Sequence, residues 1–256
     1  MKRFALIGSP VAGSLSPALF TAAYGGRYAY DLIDTPAFDD AWSRFLAAYD
    51  GINVTAPFKL NAFSRCDALS DDARRTGAVN LVLRQNGLCL GYNTDVDGVE
   101  WALRECPAVQ ALLSVSAGTP LSALVVGTGG AARAAVVAAL RLGLSVTVCG
   151  RSAAKVQAFS EAFGCRGILL PELSAPAFTC PDVVLYTLPG NAPVPEGLPL
   201  RDAIVLEAEY RLPALSGIPC RAYLGGRRWL LGQAVAGYRL FTGEEPDVEA
   251  MEKAIL

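Results

Sequence analysis

The sequence predicts an α/β protein built from two open sheets with helices packed against them. Three observations support this expectation. Short apolar segments alternate along the chain with segments in which apolar residues recur every three or four positions, as strands and helices do. Residues 121–126 are apolar apart from Ser122, which is typical of a parallel strand buried on both faces. This strand leads directly into the glycine-rich residues 127–130, which open the next helix.

Composition limits the kinds of partner the protein can have. The 256 residues are 52% hydrophobic, enough for one large core or two medium ones. The formal net charge of -2 does not indicate a nucleic-acid-binding surface. No apolar segment approaches the ~20 residues that a membrane span requires. Residues 8–10, Gly-Ser-Pro, end the first apolar segment too early for a signal peptide. We therefore expect neither nucleic acid nor membrane as a partner.

Two residue types restrict the chemistry. The seven cysteines contain no Cys-x-x-Cys spacing and are expected to be reduced thiols in a cytoplasmic protein. Histidine is absent, which excludes a histidine base, a Ser-His-Asp triad and histidine metal ligands. We expect no metal site. In an enzyme of this composition, proton transfer must fall to Lys, Asp, Glu, Tyr or Cys.

The first half is predicted to contain five strands. The last two flank Asn86-Gly87, a strong signal for a type I′ hairpin turn. The expected strands lie at residues 2–8, 28–34, 51–54, 81–84 and 88–92. Expected helices follow Ser16-Pro17 and lie at residues 38–49, 57–66, 70–76 and 96–106.

The second half alternates buried strands with helices. Residues 108–120 are small, polar and interrupted by Gly and Pro, and we expect a loop there. The expected strands lie at residues 121–126, 144–149, 182–186 and 203–206. Expected helices run from the glycine-rich segment to about residue 142 and lie at 153–163, 229–241 and 246–256.

Residues 51–59, Gly-Ile-Asn-Val-Thr-Ala-Pro-Phe-Lys, place three ligand-competent groups within seven positions. Asn53 and Thr55 stand at the end of a short strand. Pro57 suits the first turn of a helix, which would put Lys59 on that turn with its ammonium able to swing over the strand end. Taken alone, the segment favours a strand, a turn and a solvated lysine, and only the rest of the chain supports a functional role.

Other polar residues are candidates either for helix caps or for functional contacts. Ser16 before Pro17 suits an N-cap, whereas Ser14 has no such role and is a candidate for pointing into a cleft. Asp95 precedes a helix and is either its N-cap or a functional carboxylate. Asn93 and Thr94 are alternative caps of that helix.

The segment after residue 126 has the strand–glycine loop–helix pattern of a dinucleotide site. Gly127 and Gly129 let the backbone approach a pyrophosphate, and the helix N-terminus supplies free N–H groups. Ala132 replaces the third glycine and is small enough for close packing. At the end of the next strand, an NAD site normally has an acid, but this chain has Arg151. A guanidinium suits a 2′-phosphate, so NADP is preferred over NAD. A surface arginine is the alternative.

The polar motifs stand in a fixed order: Ser-x-Ser-Pro, Asn-Val-Thr-x-Pro-x-Lys, Gly-Ala-Val-Asn, Gly-x-Asn-Thr-Asp-x-x-Gly and Gly-x-Gly-Gly-Ala. Together they resemble the shikimate dehydrogenase family nearly from end to end, and the last helix carries the family's glutamine, followed by Thr-Gly. These motifs occupy residues 14–17, 53–59, 77–80, 91–98, 127–131, 233 and 242–243.

The resemblance implies a substrate domain and a Rossmann domain, with the substrate in the cleft between them. The substrate domain would comprise residues 1–97 and 230–256, because the C-terminal helices return to the first domain. The NADP-binding domain would comprise residues 98–229. The implied reaction is the NADPH-dependent reduction of 3-dehydroshikimate to shikimate, a step of chorismate synthesis, by a monomer or homodimer.

The resemblance also implies residue roles. Ser14 and Ser16 would hold the substrate carboxylate, and Lys59 and Asp95 would form the acid–base pair, with Asp95 favouring the charged lysine. The other implied substrate contacts are Asn53, Thr55, Asn80, Tyr210 and Gln233. The implied cofactor contacts are Gly127, Gly129, Gly130, Ala131, Arg151, Ser152, Thr187, Leu188 and Gly226.

The sequence departs from the family mainly at the cofactor. The family's Asn-Arg-Thr keeps only the arginine, in Gly-Arg-Ser at residues 150–152. Its Asn-Ala-Thr-Ser reads Tyr-Thr-Leu-Pro at residues 186–189, and Trp229 replaces a methionine before the glutamine. The family's His-Asn after Ser-Pro is Phe20-Thr21, and the segment from 210 to 226 is short. The substrate motifs are therefore retained, whereas the wall of the cofactor site is altered.

Three other functions are compatible with parts of the sequence. A quinate or shikimate dehydrogenase that also accepts NAD is the nearest, and Arg151 with no acid beside it argues against it. A non-catalytic ligand-binding relative would fit the altered cofactor wall, but Lys59 and Asp95 are intact. A methyltransferase could use the glycine loop for another adenosyl cofactor, but the acid that it would favour at the second strand end is absent.

Overall fold

The computed structural model describes residues 2–116, 118–176 and 178–255. The chain forms two compact units. Unit 1 comprises Met1–Gly98 and Leu231–Leu256, and unit 2 comprises Val99–Leu230. Unit 1 is thus assembled from two separate segments, whereas unit 2 is one continuous segment. Within the described residues, no helix has the length and apolar character needed to cross a membrane.

Unit 1 contains a six-stranded mixed sheet with strand order β2-β1-β3-β5-β6-β4. The β1–β2, β1–β3 and β4–β6 pairs are parallel, and the β3–β5 and β5–β6 pairs are antiparallel. The strands are β1 (Arg3–Gly8), β2 (Ala29–Asp34), β3 (Gly51–Val54), β4 (Ala68–Leu69), β5 (Leu81–Gln85) and β6 (Leu88–Tyr92). The helices are α1 (Ser16–Tyr24), α2 (Phe38–Ala48), α3 (Lys59–Arg65), α4 (Asp71–Thr76), the start of α5 (Asp95–Arg104), the end of α9 (Gly226–Thr242) and α10 (Val248–Ile255).

The two faces of β3 point into different environments because side chains alternate along a strand. Ile52 and Val54 pack into a core with Trp42 and Phe45 of α2. Asn53 lies between them in sequence and therefore faces the opposite side of the sheet. The strand thus places a polar residue on one face without leaving a gap in the core on the other.

A cluster of seven aromatic rings joins the two segments of unit 1. Phe4 of β1 stacks on Phe241 of α9 with ring centroids 4.6 Å apart. Phe20 of α1 meets Tyr238 edge to face at 4.7 Å. Such offset and edge-to-face pairs stabilise beyond the area they bury. The remaining rings of this aromatic cluster are Tyr24, Tyr28 and Tyr30.

Unit 2 is a doubly wound α/β domain. Its six strands are all parallel, in the order β12-β11-β10-β7-β8-β9. This order reverses direction between β7 and β10, the point at which such sheets bind ligands. The strands are β7 (Ser122–Val126), β8 (Ser145–Gly150), β9 (Arg166–Leu169), β10 (Val183–Tyr186), β11 (Ile204–Glu207) and β12 (Ala222–Leu224). The helices are α6 (Pro107–Val115), α7 (Gly130–Arg141), α8 (Ala153–Phe163) and a 3-10 turn at Leu170–Ser174, together with the end of α5 and the start of α9. The predicted combination of an open α/β sheet and a Rossmann-type sheet is confirmed.

Two local predictions are wrong. Residues 107–115 form helix α6 instead of a loop, because Pro107 suits a first helical turn and Val109 supplies a buried anchor. Helix α3 begins at Lys59 instead of Pro57. The Phe58 N–H donates to the Thr55 carbonyl at 2.9 Å and closes a turn, so the helix starts only after that turn. The short strands β4, β9 and β12 are additional to those predicted.

Candidate active site

The side chains of Lys59 and Asp95 meet in unit 1. Lys59 is the first residue of α3, and Asp95 is the first residue of α5. The Lys59 Nζ lies 2.5 Å from Oδ2 of Asp95. Their side chains are 27% and 16% exposed, so the pair is sheltered but still open to a ligand. A proton donor and its counter-charge are therefore held side by side.

Asp95 is not the cap of its helix. Its backbone N–H donates to Oδ1 of Asn93 at 3.2 Å, so Asn93 supplies the capping oxygen. Asn93 is itself anchored, because its Nδ2 donates to Thr76 at 2.8 Å and to the Ala78 carbonyl at 3.0 Å. The Asp95 carboxylate is thereby left to bind other side chains.

Asn80 links this carboxylate to the rest of the site. Its Nδ2 donates to Oδ1 of Asp95 at 3.0 Å, and its Oδ1 accepts the Thr94 N–H at 2.8 Å. The Thr94 hydroxyl lies 3.4 Å from Oε1 of Gln233 on α9. Asn80, Thr94 and Gln233 are all buried. Thr94 belongs to this hydrogen-bond network, whereas sequence reasoning considered it only as a helix cap.

Asn53 accepts a hydrogen bond from Tyr30, a residue that sequence reasoning missed. The Tyr30 hydroxyl donates to Oδ1 of Asn53 at 2.7 Å. The Nδ2 of Asn53 donates to the Asn80 carbonyl at 3.5 Å. Burial of its hydroxyl raises the pKa of Tyr30 far above its usual value, partly opposed by a hydrogen bond with Ser16. Tyr30 is therefore a neutral donor at any physiological pH. The strand that contains Tyr30 was predicted. Nothing in the sequence indicates that its side chain crosses the neighbouring strand to reach Asn53.

Ser14 and Ser16 lie together at the start of α1. The Ser14 hydroxyl is 3.1 Å from Oγ of Ser16, and the Ser16 N–H donates to Oγ of Ser14 at 3.2 Å. The expected capping role of Ser16 is wrong, because Leu15 occupies the cap position and Ser16 is already helical. Behind them, the Tyr238 hydroxyl donates to the Ser16 carbonyl at 3.0 Å. The Ser16 side chain thus takes part in hydrogen bonds between side chains and not in capping α1.

The two remaining predicted substrate contacts, Thr55 and Tyr210, belong to different units. Thr55 follows β3, and its N–H donates to the Ile7 carbonyl of β1 at 3.0 Å, which fixes the strand end. Tyr210 belongs to unit 2 and follows β11, where the Arg211 guanidinium lies 5.6 Å from its ring centre. The roles of both residues toward a substrate stay predictions.

The glycine-rich loop of unit 2 lies at the reversal point of the sheet. Gly127 follows β7 with a φ of 122°, a conformation that disfavours side chains, and a Cβ there would collide with Thr187 at the end of β10. Gly129 and Gly130 are exposed at the start of α7, and a Cβ on either would have nothing within 4 Å. A bare helix N-terminus with open space before it suits an anionic group. Ala131 follows on the same turn, and the fully buried Ala132 supports the expected close packing.

The other predicted cofactor residues surround the carboxyl ends of the unit 2 strands. Arg151 is exposed directly after β8, and Ser152 caps α8 by accepting the Lys155 N–H at 3.4 Å. Leu188 follows β10 and packs on the core beneath. Gly226 opens α9, where a Cβ would come within 2.5 Å of the Ala208 carbonyl oxygen.

The altered wall, residues 186–189, begins with a buried tyrosine at the end of β10. Tyr186 is fully buried, and within the part of the chain that the structure describes its hydroxyl has no hydrogen-bond partner. Burial, and secondarily the charge of Glu207 on the neighbouring strand, raise its pKa. Tyr186 fills the core of the sheet and leaves Thr187 as the first residue after the strand.

Two family models match the chain. The shikimate dehydrogenase substrate binding domain matches residues 6–82, and the shikimate 5′-dehydrogenase C-terminal domain matches residues 230–256. The chain is 34% identical to the shikimate dehydrogenase (NADP(+)) of Thermus thermophilus, over 99% of this chain and 97% of that protein. It is 36% identical to that of Rubrobacter xylanophilus, over 98% and 94%.

Solved structures give the same result. The fold matches the crystal structure of a shikimate 5-dehydrogenase from Thermus thermophilus in complex with NADP(H) and shikimate, with a TM-score of 0.82 and 31% identity. That match covers 100% of this chain and 98% of the other. The resemblance drawn from the sequence motifs is therefore confirmed: this chain belongs to the shikimate dehydrogenase family.

Proposed function

We propose that this protein is an NADP-dependent shikimate dehydrogenase, which reduces 3-dehydroshikimate to shikimate and catalyses the reverse reaction. The observation that carries the proposal is the Lys59–Asp95 pair, embedded in a network of polar side chains inside unit 1. Membership of the family supports the substrate and the cofactor.

The Lys59 ammonium is the proton donor in this proposal. Reduction of a ketone to a secondary alcohol adds a hydride to carbon and a proton to oxygen. Lys59 delivers its proton to that oxygen and takes it back in the reverse direction. Asp95, held by Asn80 at 3.0 Å, keeps the ammonium aimed at one position. The absence of histidine leaves lysine as the cation of this site.

The polar residues around the pair suit a polyhydroxy acid. The paired hydroxyls of Ser14 and Ser16 can donate to a carboxylate. The amides of Asn53, Asn80 and Gln233 can bind ring hydroxyls, each of which both donates and accepts. The site is made almost entirely of uncharged hydrogen-bonding groups, which fits a ligand with one charge and several hydroxyls.

NADP fits the carboxyl ends of the unit 2 strands. The bare N-terminus of α7 at Gly129 and Gly130 would hold the pyrophosphate, and Arg151 with Ser152 would hold the 2′-phosphate. When bound in its reduced form, this cofactor supplies the hydride. The protein orients the ketone and provides the proton.

We also infer that the protein acts in the cytoplasm on small molecules, without nucleic acid, as a monomer or homodimer. All seven cysteines, each within the described residues, are free thiols, which supports a reducing compartment. The net charge of -2 supports the absence of a nucleic-acid surface. Light scattering after size-exclusion chromatography would settle the oligomeric state.

The proposal is tested by following absorbance of the reduced nicotinamide with purified protein. Shikimate with NADP is expected to give turnover, and quinate with NAD is expected to give little. No turnover with shikimate and NADP would refute the proposed function. Faster turnover with quinate and NAD would replace it with a quinate dehydrogenase.

A further inference from the structure

Tyr30 connects the aromatic cluster to Asn53, a predicted substrate contact. Its ring packs against Phe20, with centroids 4.8 Å apart, within the aromatic cluster. Its hydroxyl leaves the cluster and donates to Oδ1 of Asn53 at 2.7 Å. The apolar end of the residue thus belongs to the core, and the polar end belongs to the site.

The sheet register explains how this contact forms. Tyr30 of β2 pairs with Phe4 of β1, and Asn53 of β3 pairs with Leu6, two residues further along β1. Positions two apart on a strand face the same side. Tyr30 and Asn53 therefore share one face of the sheet, and the long tyrosine side chain crosses the intervening strand.

The contact decides which way the Asn53 amide points. The Tyr30 hydroxyl donates its single proton to the amide oxygen, which turns the amide nitrogen to the other side. One N–H of Asn53 is directed to the Asn80 carbonyl at 3.5 Å. The second N–H is the group that Asn53 can offer to a ligand. A rotation of the amide by half a turn would exchange oxygen and nitrogen and lose the bond from Tyr30.

We propose that Tyr30 is a positioning residue, which fixes the Asn53 amide so that it donates to a ring oxygen of the substrate. This inference rests on the proposed function and deepens it by assigning a direction to one substrate hydrogen bond. Tyr30 itself touches no reacting atom in this scheme. Burial raises the pKa of its hydroxyl, so the donor persists across the working pH range.

The test removes only the hydroxyl, with Tyr30→Phe. The loss of one hydrogen bond and of the fixed amide is expected to raise KM for shikimate roughly 3- to 10-fold. Turnover at saturation should stay within about 2-fold, because the Lys59–Asp95 pair is untouched. Tyr28→Phe is the matched control. It deletes a hydroxyl from the same aromatic cluster, but that hydroxyl binds Glu244 at 2.7 Å, and its KM should match the wild type.

A double-mutant cycle separates positioning from a general loss of structure. In an Asn53→Ala background, Tyr30→Phe should change KM by less than about 2-fold, because its partner is gone. Equal effects of Tyr30→Phe in both backgrounds, or a Tyr30→Phe enzyme indistinguishable from Tyr28→Phe, would overturn the inference while leaving an active wild type and the proposed function intact. A wild type without shikimate activity would remove both.

Discussion

Lys59 and Asp95 each begin a helix, and their charged ends meet at 2.5 Å although the two residues are 36 positions apart in the chain. Neither helix start requires its charged residue as a cap. Asn93 supplies the capping oxygen for α5, and Phe58 precedes α3 without a side-chain cap. Neither charged side chain is therefore needed to cap a helix, so both can serve a functional role.

Replacing Lys59 with alanine should remove the proton donor while leaving the substrate contacts in place. We expect turnover to fall roughly 10²- to 10⁴-fold, with near-normal shikimate binding. Steady-state kinetics and calorimetric titration would measure the two quantities. Lys253→Ala is the control, because Lys253 forms an ion pair of the same length with Glu249 on an exposed helix. A Lys59→Ala enzyme within a few-fold of the wild type would remove Lys59 from the chemistry.

Replacing Arg151 with alanine should alter the choice of cofactor. If the guanidinium binds a 2′-phosphate, its loss should raise KM for NADP roughly 10- to 100-fold, as expected for a hydrogen bond to a charged group. KM for NAD should hardly change. Arg166→Ala, which removes an equally exposed charge from the start of β9, should affect neither cofactor. A parallel loss for NADP and NAD would contradict recognition of the 2′-phosphate.

Replacing Phe241 with alanine should destabilise unit 1. Phe241 is 1% exposed and stacks on Phe4, so the variant loses both buried area and a ring contact. The free energy of unfolding should fall by about 3–5 kcal/mol. Leu240→Ala on the same helix is 37% exposed and should cost on the order of 1 kcal/mol. Urea denaturation followed by circular dichroism would compare them, and equal losses would show that the aromatic cluster contributes little.

Stability should decline at alkaline pH because the Cys149 thiol is buried and the Cys66 thiol is partly buried. Burial raises the pKa of Cys149 from 9.0 to about 12, with a smaller effect of Glu172, and burial raises that of Cys66 to about 12. Unfolded thiols lose their protons above about pH 9, whereas the folded ones keep them. Between these values the unfolded state binds fewer protons, so the free energy of unfolding falls as pH rises from 9 towards 12. Urea denaturation from pH 8 to 11 should show this slope, and Cys149→Ala should reduce it. An unchanged slope in the variant would exclude that thiol as a source.

Local sequence signals predicted the elements whose geometry is decided locally. Asn86 and Gly87 adopt φ values of 53° and 80°, as the type I′ turn between β5 and β6 demands. Strand β3 and helix α8 have the predicted bounds, and Ser152 caps α8. In each case the residues that determine the conformation are neighbours in the chain.

The parts that sequence reasoning missed depend on contacts between distant segments. Tyr30 meets Asn53 only because β1 lies between β2 and β3 in the sheet. Tyr238 meets the Ser16 carbonyl only because α9 returns to the first strand. The placement of Lys59 beside Asp95 was expected from the family motifs, and no periodicity along the chain indicates it. The individual functional roles of these residues stay predictions for the experiments above.

The divided first unit has a consequence for synthesis on the ribosome. Tyr238 and Phe241 are translated after the whole of Val99–Leu230, yet they complete the ring cluster around Phe4 and Phe20. The aromatic side chains of the nascent amino-terminal segment therefore stay uncovered while unit 2 emerges and folds as a continuous stretch. Chaperone occupancy on translating ribosomes should accordingly persist on this early segment until the final helix has left the exit tunnel.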